Sequence, residues 1–540
     1  MKPGLLIIKL IVLFSAISAQ AQLHMIKDIA PGKNSLPSGP RYLTVVDKQL
    51  FFMENDGIHG VELWKSDGTT DGTVMVKDIN VGSGNSNISN IIPLNNMAFF
   101  ILDDGVHGYE LWQSDGTDNG TKIVKDLNSS STIGVDPNSL RKVGNELLFV
   151  GNDGINGFQL WKSNGTDLGT IMLTKLVGGK FGNSYYKLNS VYFFSYNDSI
   201  KGEEVWKTDG TPSGTKLLKD INLGKNSSFP TGFFPINNMV VFLAGDSLHG
   251  EELWVTDGNP NGTKMLMDIK KGIGSSTCKY FTMYHSKLYF LATDTLSNDE
   301  VWETDGTDIG TKRSFEINKG TGGSKISTIV NALDYLMISA FDSLSGIELW
   351  KSKGTQLSTQ LLKDINPGKY NSVPKYVTQI DTVIYFIANN NIVGAELWVS
   401  DGTDTGTRLF KDINPSTTPL SYYTGIFNAN NILFFVVDDG ANGYELWANT
   451  KSTNITKITS NKVKVYPVPS GGSFNIEVED SYIIQIKIVD LNGKIIKKLM
   501  YNGDLNSVVM DVSFLNSGSY TLSIHLKNGD SINKEIIVSK

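Results

Sequence analysis

Residues 61–79 read Val61-Glu62-Leu63-Trp64-Lys65-Ser66-Asp67-Gly68-Thr69-Thr70-Asp71-Gly72-Thr73-Val74-Met75-Val76-Lys77-Asp78-Ile79. Two short apolar runs flank a turn crowded with Asp, Gly and Thr, the pattern of a β-hairpin. The string returns along the chain. Its Trp recurs as Trp64, Trp112, Trp161, Trp206, Trp254, Trp302, Trp350, Trp398 and Trp447, at intervals of 48, 49, 45, 48, 48, 48, 48 and 49 residues, and the chain has no other Trp. Phe stands twelve residues before Trp in eight copies (Phe52, Phe100, Phe149, Phe194, Phe242, Phe290, Phe386 and Phe435), with Ile338 in the seventh. Glu stands two before it in eight copies, Gln159 replacing it once, and Thr nine after it in all nine, from Thr73 to Thr456. A segment of constant length at a constant period is a structural repeat, and the length differences all fall between one copy and the next.

Within the first copy, Tyr42-Leu-Thr-Val-Val, Leu50-Phe-Phe-Met, Val61-Glu-Leu-Trp-Lys and Val74-Met-Val-Lys-Asp-Ile are four short strands bounded by Gly, Asn and Asp. Four antiparallel strands per 40 to 50 residues predict an all-β repeat β-propeller of about nine four-stranded blades. Trp at one place in every copy is then packing between blades, the alternative being a surface row of Trp that stacks on ligand. The Lys-Asp-Ile strand also precedes the first Trp, as Met25-Ile26-Lys27-Asp28-Ile29, and a weaker form follows the last, as Ile455-Thr456-Lys457-Ile458. A spare strand from one terminus would pair across a seam and close the ring; an open stack of repeats is the alternative.

The Asp residues of the turn invite calcium, but the columns oppose it. The position of Asp67 becomes Asn164 in one copy and Lys353 in another, and Lys is no calcium ligand. Asp118 and its equivalents alternate with Pro212 and Pro260, a turn preference and not a coordination chemistry. Gly72 and its equivalents fit a residue of positive φ closing the hairpin. Glu62 and its equivalents are expected to accept a hydrogen bond within the blade, from the recurrent Thr, and not to do acid/base work.

The string Glu-Leu-Trp-x-Ser-Asp-Gly-Thr-x-x-Gly-Thr, with Leu362-Lys363-Asp364-Ile365-Asn366-Pro367-Gly368 as its continuation, resembles the ELW/DGT repeat proteins exported by some Gram-negative bacteria and often called hyalin-like. The resemblance covers about 430 residues. The ninth copy departs from it with Ala448-Asn449-Thr450-Lys451, as a terminal capping repeat would.

The chain begins MKPGLLIIKLIVLFSAISAQAQ, where Lys2 and Lys9 accompany an apolar run ending in Ala19-Gln20-Ala21, which predicts a secretory signal peptide over 1–21. The apolar run is too short to span a membrane, and no later stretch is long enough, so the mature chain is expected to have no transmembrane segment. The repeats then occupy 22–462. At 540 residues, 40% hydrophobic, the chain is globular; its single Cys278 excludes an intramolecular disulfide and any Cys-based zinc site, and six scattered His leave little for a His cluster. The formal charge of −7 becomes −9 without the two leader lysines, which argues against nucleic acid as a partner. No cofactor or metal is expected.

From residue 463 the Trp columns are gone and a turn-rich Val465-Tyr466-Pro467-Val468-Pro469-Ser470-Gly471-Gly472 opens a different composition. About seven short strands in 78 residues predict a small β-sandwich over 463–540. The segment resembles the type A C-terminal sorting domain of type IX secretion substrates. The matching marks are Tyr-Pro-x-Pro, Asp490-Leu-Asn-Gly-Lys494, Leu515 to Tyr520 as Leu-x-x-Gly-x-Tyr, and the Ile537 to Lys540 tail, with Val468 standing where the family usually has Asn. That resemblance implies the type IX machinery as partner and export to the cell surface or medium.

In a four-stranded meander the loops joining strands two and three share a face with the connections between repeats, while the Asp-Gly-Thr turns lie on the other. Variable loops on a rigid scaffold are where recognition sits. On that face the chain offers Tyr185-Tyr186, Tyr280-Phe281 and Tyr422-Tyr423, with His59, His107 and His249 in blades too far apart to share a metal. Tyr185, Tyr186, Tyr280, Tyr422 and Tyr423 are candidates for stacking on sugars, half-buried strand packing being the other reading. The expected function is a binding or adhesion scaffold, not an enzyme, whose ligand is a polysaccharide or protein. The alternatives are a propeller enzyme such as a glycosidase or lyase, which needs non-repeating carboxylates near the axis, and a structural surface layer.

Overall fold

The computed structural model describes residues 22–30, 39–129, 134–296, 298–320, 322–413, 425–450, 463–466, 472–478, 482–489, 495–501, 505–526 and 531–539. They are all-β: among them the only helix is one 3₁₀ turn, Gln356–Ser358. Two compact units emerge, one of Leu23–Asn449 and one that contains Thr450–Lys540.

The first unit is nine four-stranded antiparallel sheets, one per Trp. Sheet 1 takes Arg41–Val46, Gln49–Asn55, Val61–Ser66 and Val74–Lys77 in chain order, and its pattern is repeated in the next seven. The second strand is buried nearly throughout, as Leu50 to Glu54 are, because a strand covered on both faces has no polar side to present. Phe52 and Trp64 are cross-strand partners, a pairing that recurs in every sheet whose Phe is kept. All eight of these Phe are completely buried. Hairpins between the first two strands use left-handed residues, for example Asn95 and Asn96 at φ 50° and 62°, the mirror-image turn whose twist suits paired strands.

Sheet 9 differs. Ile426–Ala429, Ile432–Asp438 and Tyr444–Thr450 supply three strands, and the fourth is Gln22–Lys27 from the other end of the sequence. The weaker repeat at Ile455 to Ile458 lies outside the described residues. Each interface between successive sheets holds one apolar cluster containing the Trp of the later sheet, as when Trp112 packs with Phe51, Leu63 and Val76 of sheet 1. The series runs on to its start: Ile26 and Ile29 join Trp64 and Phe52 of sheet 1 to Phe434 and Leu446 of sheet 9. Trp is therefore packing between sheets, as the period predicts. Polar links follow the same course. Lys27 Nζ donates to Thr73 O at 3.0 Å and Thr70 Oγ1 to Ile26 O at 2.7 Å. First strands also reach one another, Thr44 Oγ1 donating to Ile91 O at 3.1 Å and Thr378 Oγ1 to Ile426 O at 3.0 Å.

Two column readings are corrected. Gly72 does not have a positive φ; Gly68 does, at 91°. Gly72 is required because a Cβ there would stand 2.0 Å from Asp67 Oδ1, which is occupied by hydrogen bonds from Thr69 N (2.9 Å) and Thr69 Oγ1 (2.7 Å). Glu62 does not bond the recurrent Thr either. It accepts from Ile79 N at 3.0 Å and from the Ser86 hydroxyl, so it ties down the connection leaving its own sheet. Glu348 does the same with Ile365 N and Ser372 Oγ. Glu445 accepts from Ile29 N at 3.3 Å, 416 residues away in sequence. The recurrent Thr73 instead shares a hydrogen bond with Ser66 across the turn.

The second unit has a three-stranded sheet of Val463–Tyr466, Ser473–Val478 and Ser507–Asp511 and a four-stranded one of Ile483–Val489, Ile495–Met500, Gly518–Leu526 and Ser531–Val538. Their alternating apolar residues, among them Phe474, Ile476, Ile486, Leu522 and Ile536, form one shared core. The Leu-x-x-Gly-x-Tyr mark has a structural role: Leu515 is in that core, and the Tyr520 hydroxyl donates to Asn516 O at 3.1 Å. Asp490 to Lys494 and Pro467 to Gly471 lie outside the described residues.

Candidate functional site

The strand two to three loops and the connections between sheets do share a face, stitched together by backbone. In sheet 1, Val61 N donates to Asn85 Oδ1 at 2.8 Å and Ser86 N to Val61 O at 3.0 Å. Loops held in this way form a firm platform. An open cleft of about 510 Å³ lies there, lined by Arg41, Tyr42, Glu54 and Asn55 of sheet 1, Asn85 and Asn87 of the connection to sheet 2, and Tyr109 and Asn138 farther along.

Glu54 is its unusual member. Ten residues before Trp, the other eight sheets carry Leu102, Gly151, Tyr196, Ala244, Ala292, Ala340, Ala388 and Val437, so this carboxyl belongs to sheet 1 alone. It is 4% exposed. Asn55 N donates to Oε1 at 2.9 Å, and Oε2 is buried without a hydrogen-bond partner among the described residues. Burial, aided by the carboxylate of Glu445 and opposed by the Asn55 N–H and the charge of Arg41, pushes its pKa up to about 8. Glu54 is thus mostly a neutral acid at pH 7, with an O–H to donate. Glu62, Glu252, Glu348 and Glu445 are also pushed up by burial, to about 7, and each accepts through Oε2 from a backbone N–H, that of Ile79, Ile269, Ile365 and Ile29 respectively; Glu62 Oε1, like Glu54 Oε2, is buried without a hydrogen-bond partner among the described residues.

Tyr42 marks the rim. It has φ 51° and is half exposed, at a bulge where Arg41 pairs with Met53 but Thr44 with Phe51. Such a conformation costs a bulky residue about 1–3 kcal/mol and holds the ring away from the sheet. Tyr280 and Tyr376 occupy the same bulge in sheets 6 and 8, at φ 58° and 56°, each after a Lys and two before a Thr. Tyr280, an expected stacking residue, is therefore exposed. Tyr185 is not: it is buried among Phe181, Phe194 and Trp206, and its pairing was the packing alternative. Tyr186 is half-buried against Phe193 and Val240. Tyr422 and Tyr423 lie outside the described residues. Sequence reasoning passed over Glu54 and the kinship of Tyr42, Tyr280 and Tyr376, although both stand in columns counted from Trp.

The three loop His are local fasteners. His59 Nδ1 lies 2.7 Å from Asp56, His107 Nδ1 2.7 Å from Asp104 and His249 Nδ1 2.9 Å from Asp246, three residues earlier in each case. These hydrogen bonds raise the His pKa values. Among the described residues no group of three His, Cys, Asp or Glu is placed to hold a metal, and no helix is long and apolar enough to cross a membrane.

Residues 464–539 match the family model of the secretion system C-terminal sorting domain. The match carries the type IX assignment of this segment, which implies interaction with the secretion machinery and export to the cell surface or medium. No curated protein matches the chain. Among solved structures, the computationally designed Ika8 protein is 15% identical over 67% of this chain and 96% of its own, with a TM-score of 0.37. A puromycin hydrolase is 13% identical over 77% of this chain and 61% of its own (TM-score 0.35), so this chain spans less than two thirds of it. The extracellular domain of a one-component system from B. thetaiotaomicron is 10% identical over 94% and 88% (TM-score 0.25).

Proposed function

We propose that this chain is an exported binding scaffold: a signal peptide and a sorting tail deliver it, the nine sheets are the blades of one closed β-propeller, and the loop face holds a polysaccharide. Supporting closure, the apolar interfaces continue from sheet 9 to sheet 1, and an N-terminal strand covers what would otherwise be an open edge. The observation that carries the binding reading is the cleft itself: one buried carboxyl found in sheet 1 alone, with an oxygen that has no partner among the described residues, and one strained, exposed Tyr of the kind that recurs in sheets 6 and 8, on a face of tethered loops. The enzyme alternative is less well supported. Glycoside hydrolysis takes a pair of carboxyls that both face the substrate. Here Glu54 is the only carboxyl among the residues that line the cleft.

The test is a screen of the full exported chain against arrays of polysaccharides and surface proteins, with turnover of every glycan hit read in parallel. Saturable glycan binding without turnover is the expected result. Turnover would replace the scaffold by an enzyme, and silence on every surface would replace it by a structural coat.

A further inference from the structure

The first strands carry a second pattern laid over the repeat. Tyr42, Tyr280 and Tyr376 stand 22 residues before Trp, where the other six sheets have Asn90, Ser139, Ser184, Gly232, Thr328 and Gly425. One residue earlier the same three sheets have Arg41, Lys279 and Lys375, and the others have only Ser, Asn or Thr. Two residues after Tyr the three have Thr44, Thr282 and Thr378, and no other sheet has Thr there. A cation, Tyr and Thr thus occur as a set or not at all. The Thr anchors the bulge, its hydroxyl donating to the first strand of the next sheet: Thr44 to Ile91 O at 3.1 Å, Thr282 to Ile329 O at 2.6 Å and Thr378 to Ile426 O at 3.0 Å. The bulge turns each Tyr outward, 50%, 41% and 43% exposed in sheets 1, 6 and 8. Sheet 5 has the same bulge, between Thr231 and Phe234, and fills it with Gly232 at φ 61°, which glycine adopts without steric cost. Three strained Tyr kept where Gly serves elsewhere point to a use for the ring.

Charge follows the same strands. The nine first strands together hold seven Lys or Arg and no Asp or Glu, in a chain whose formal charge is −7. Glu146 neutralises Lys187 at 2.6 Å and buried Glu54 lies near Arg41, while Lys279 and Lys375 are exposed and have no acid partner among the described residues. Sheets 6, 8 and 1 are every second sheet in the run 6, 7, 8, 9, 1, and the first strands of that run adjoin one another in turn. We infer that the loop-face ends of these strands are a track for one linear acidic polysaccharide, with Tyr280, Tyr376 and Tyr42 stacked on its sugar rings and Lys279, Lys375 and Arg41 meeting its carboxylate or sulfate groups. The inference rests on the scaffold reading and gives it a substrate class and a place. Three equivalent contacts on one polymer reinforce each other, because the second and third form within a complex already held by the first.

The experiment is calorimetric titration of the full chain with polygalacturonate, dextran sulfate and uncharged dextran of equal length. The expected result is binding of one or both acidic polymers at least about tenfold tighter than dextran, weakening as salt is raised, with digalacturonate at least about tenfold weaker than the polymer. Tyr42→Gly, Tyr280→Gly and Tyr376→Gly each lower that affinity about three- to tenfold. Their urea midpoints stay level or rise, because Gly relieves the strain. A Tyr that only packs gives the reverse, a lower midpoint with binding kept, and that result overturns the inference. Lys279→Gln with Lys375→Gln, both exposed, keeps the fold and narrows the preference for acidic over neutral polymer. Dextran bound as tightly as the acidic polymers, acidic binding unaltered in the Tyr or the Lys variants, or single-stranded DNA bound as tightly as polygalacturonate also overturns it. Each of these leaves the scaffold reading standing where the arrays give a glycan hit. Failure of every polymer together with silence on the arrays overturns both.

Discussion

Gly406→Ala is a substitution whose sign depends on one neighbour. The added Cβ would stand 2.0 Å from Asp401 Oδ1, far inside contact distance. Gly406 does not have a positive φ, so Ala suits the backbone and the objection is purely steric. Relief requires Asp401 to swing away and give up the hydrogen bonds that Oδ1 accepts from Thr403 N (2.9 Å) and Thr403 Oγ1 (2.6 Å). At about 1 kcal/mol each, the loss is ~2 kcal/mol. In an Asp401→Ala background the obstacle is gone. There, Gly406→Ala only restricts the unfolded chain and stabilises by about 0.4–1 kcal/mol. Urea unfolding of the full chain and its three variants, followed by Trp fluorescence, closes the cycle. A coupling energy of about 2–3 kcal/mol is expected. Equal effects of Gly406→Ala in both backgrounds would refute the steric argument. The chain contains its own precedent: the seventh repeat has Lys353 in place of the Asp, and there the Gly is also replaced, by Ser358, whose hydroxyl accepts from Lys353 N at 3.0 Å.

The seam is testable through Ile26, which is 2% exposed between Trp64 and Phe434. Ile26→Ala should cost about 2–5 kcal/mol in the same unfolding assay, and a cost below about 1 kcal/mol would mean that the N-terminal strand does not hold sheet 9 to sheet 1. Deletion of 463–540 should leave a folded repeat unit that accumulates inside the cell envelope. Surface fractionation that finds the truncated chain exported in normal amount would contradict the role of the tail.

What the sequence determined on its own was everything that repeats or is local. Nine Trp at nearly constant spacing, with Phe in eight copies and Thr in all nine at fixed offsets, specify the strands, their alternation and the packing of Trp between sheets, because one solution satisfying the pattern once satisfies it nine times. The sorting segment was legible for the same reason: its turns and alternating runs are short-range features. The Asp-Gly-Thr turn was recognised as a turn, yet its chemistry was misassigned. Periodicity shows that Gly72 recurs in seven of the nine copies; only coordinates show that Asp67 Oδ1, and not a positive φ, demands it.

What the tertiary structure decided were choices among partners distant in sequence. Glu62 had Thr73 near it in sequence, but the hydrogen bond goes to Ile79 and Ser86, because folding back the connection leaves those N–H and O–H groups without water. Gln22–Lys27 had to be seen beside Tyr444–Thr450 before sheet 9 was complete. Tyr185 and Tyr280 look alike as strand aromatics, yet one fills a core and the other is turned outward by a bulge. Glu54 is a single letter in a column of small and apolar residues. Its unusual state comes from a neighbourhood to which sheets 1 and 9 contribute charge, where burial removes water from a carboxyl that the Asn55 N–H and the Arg41 charge compensate only in part.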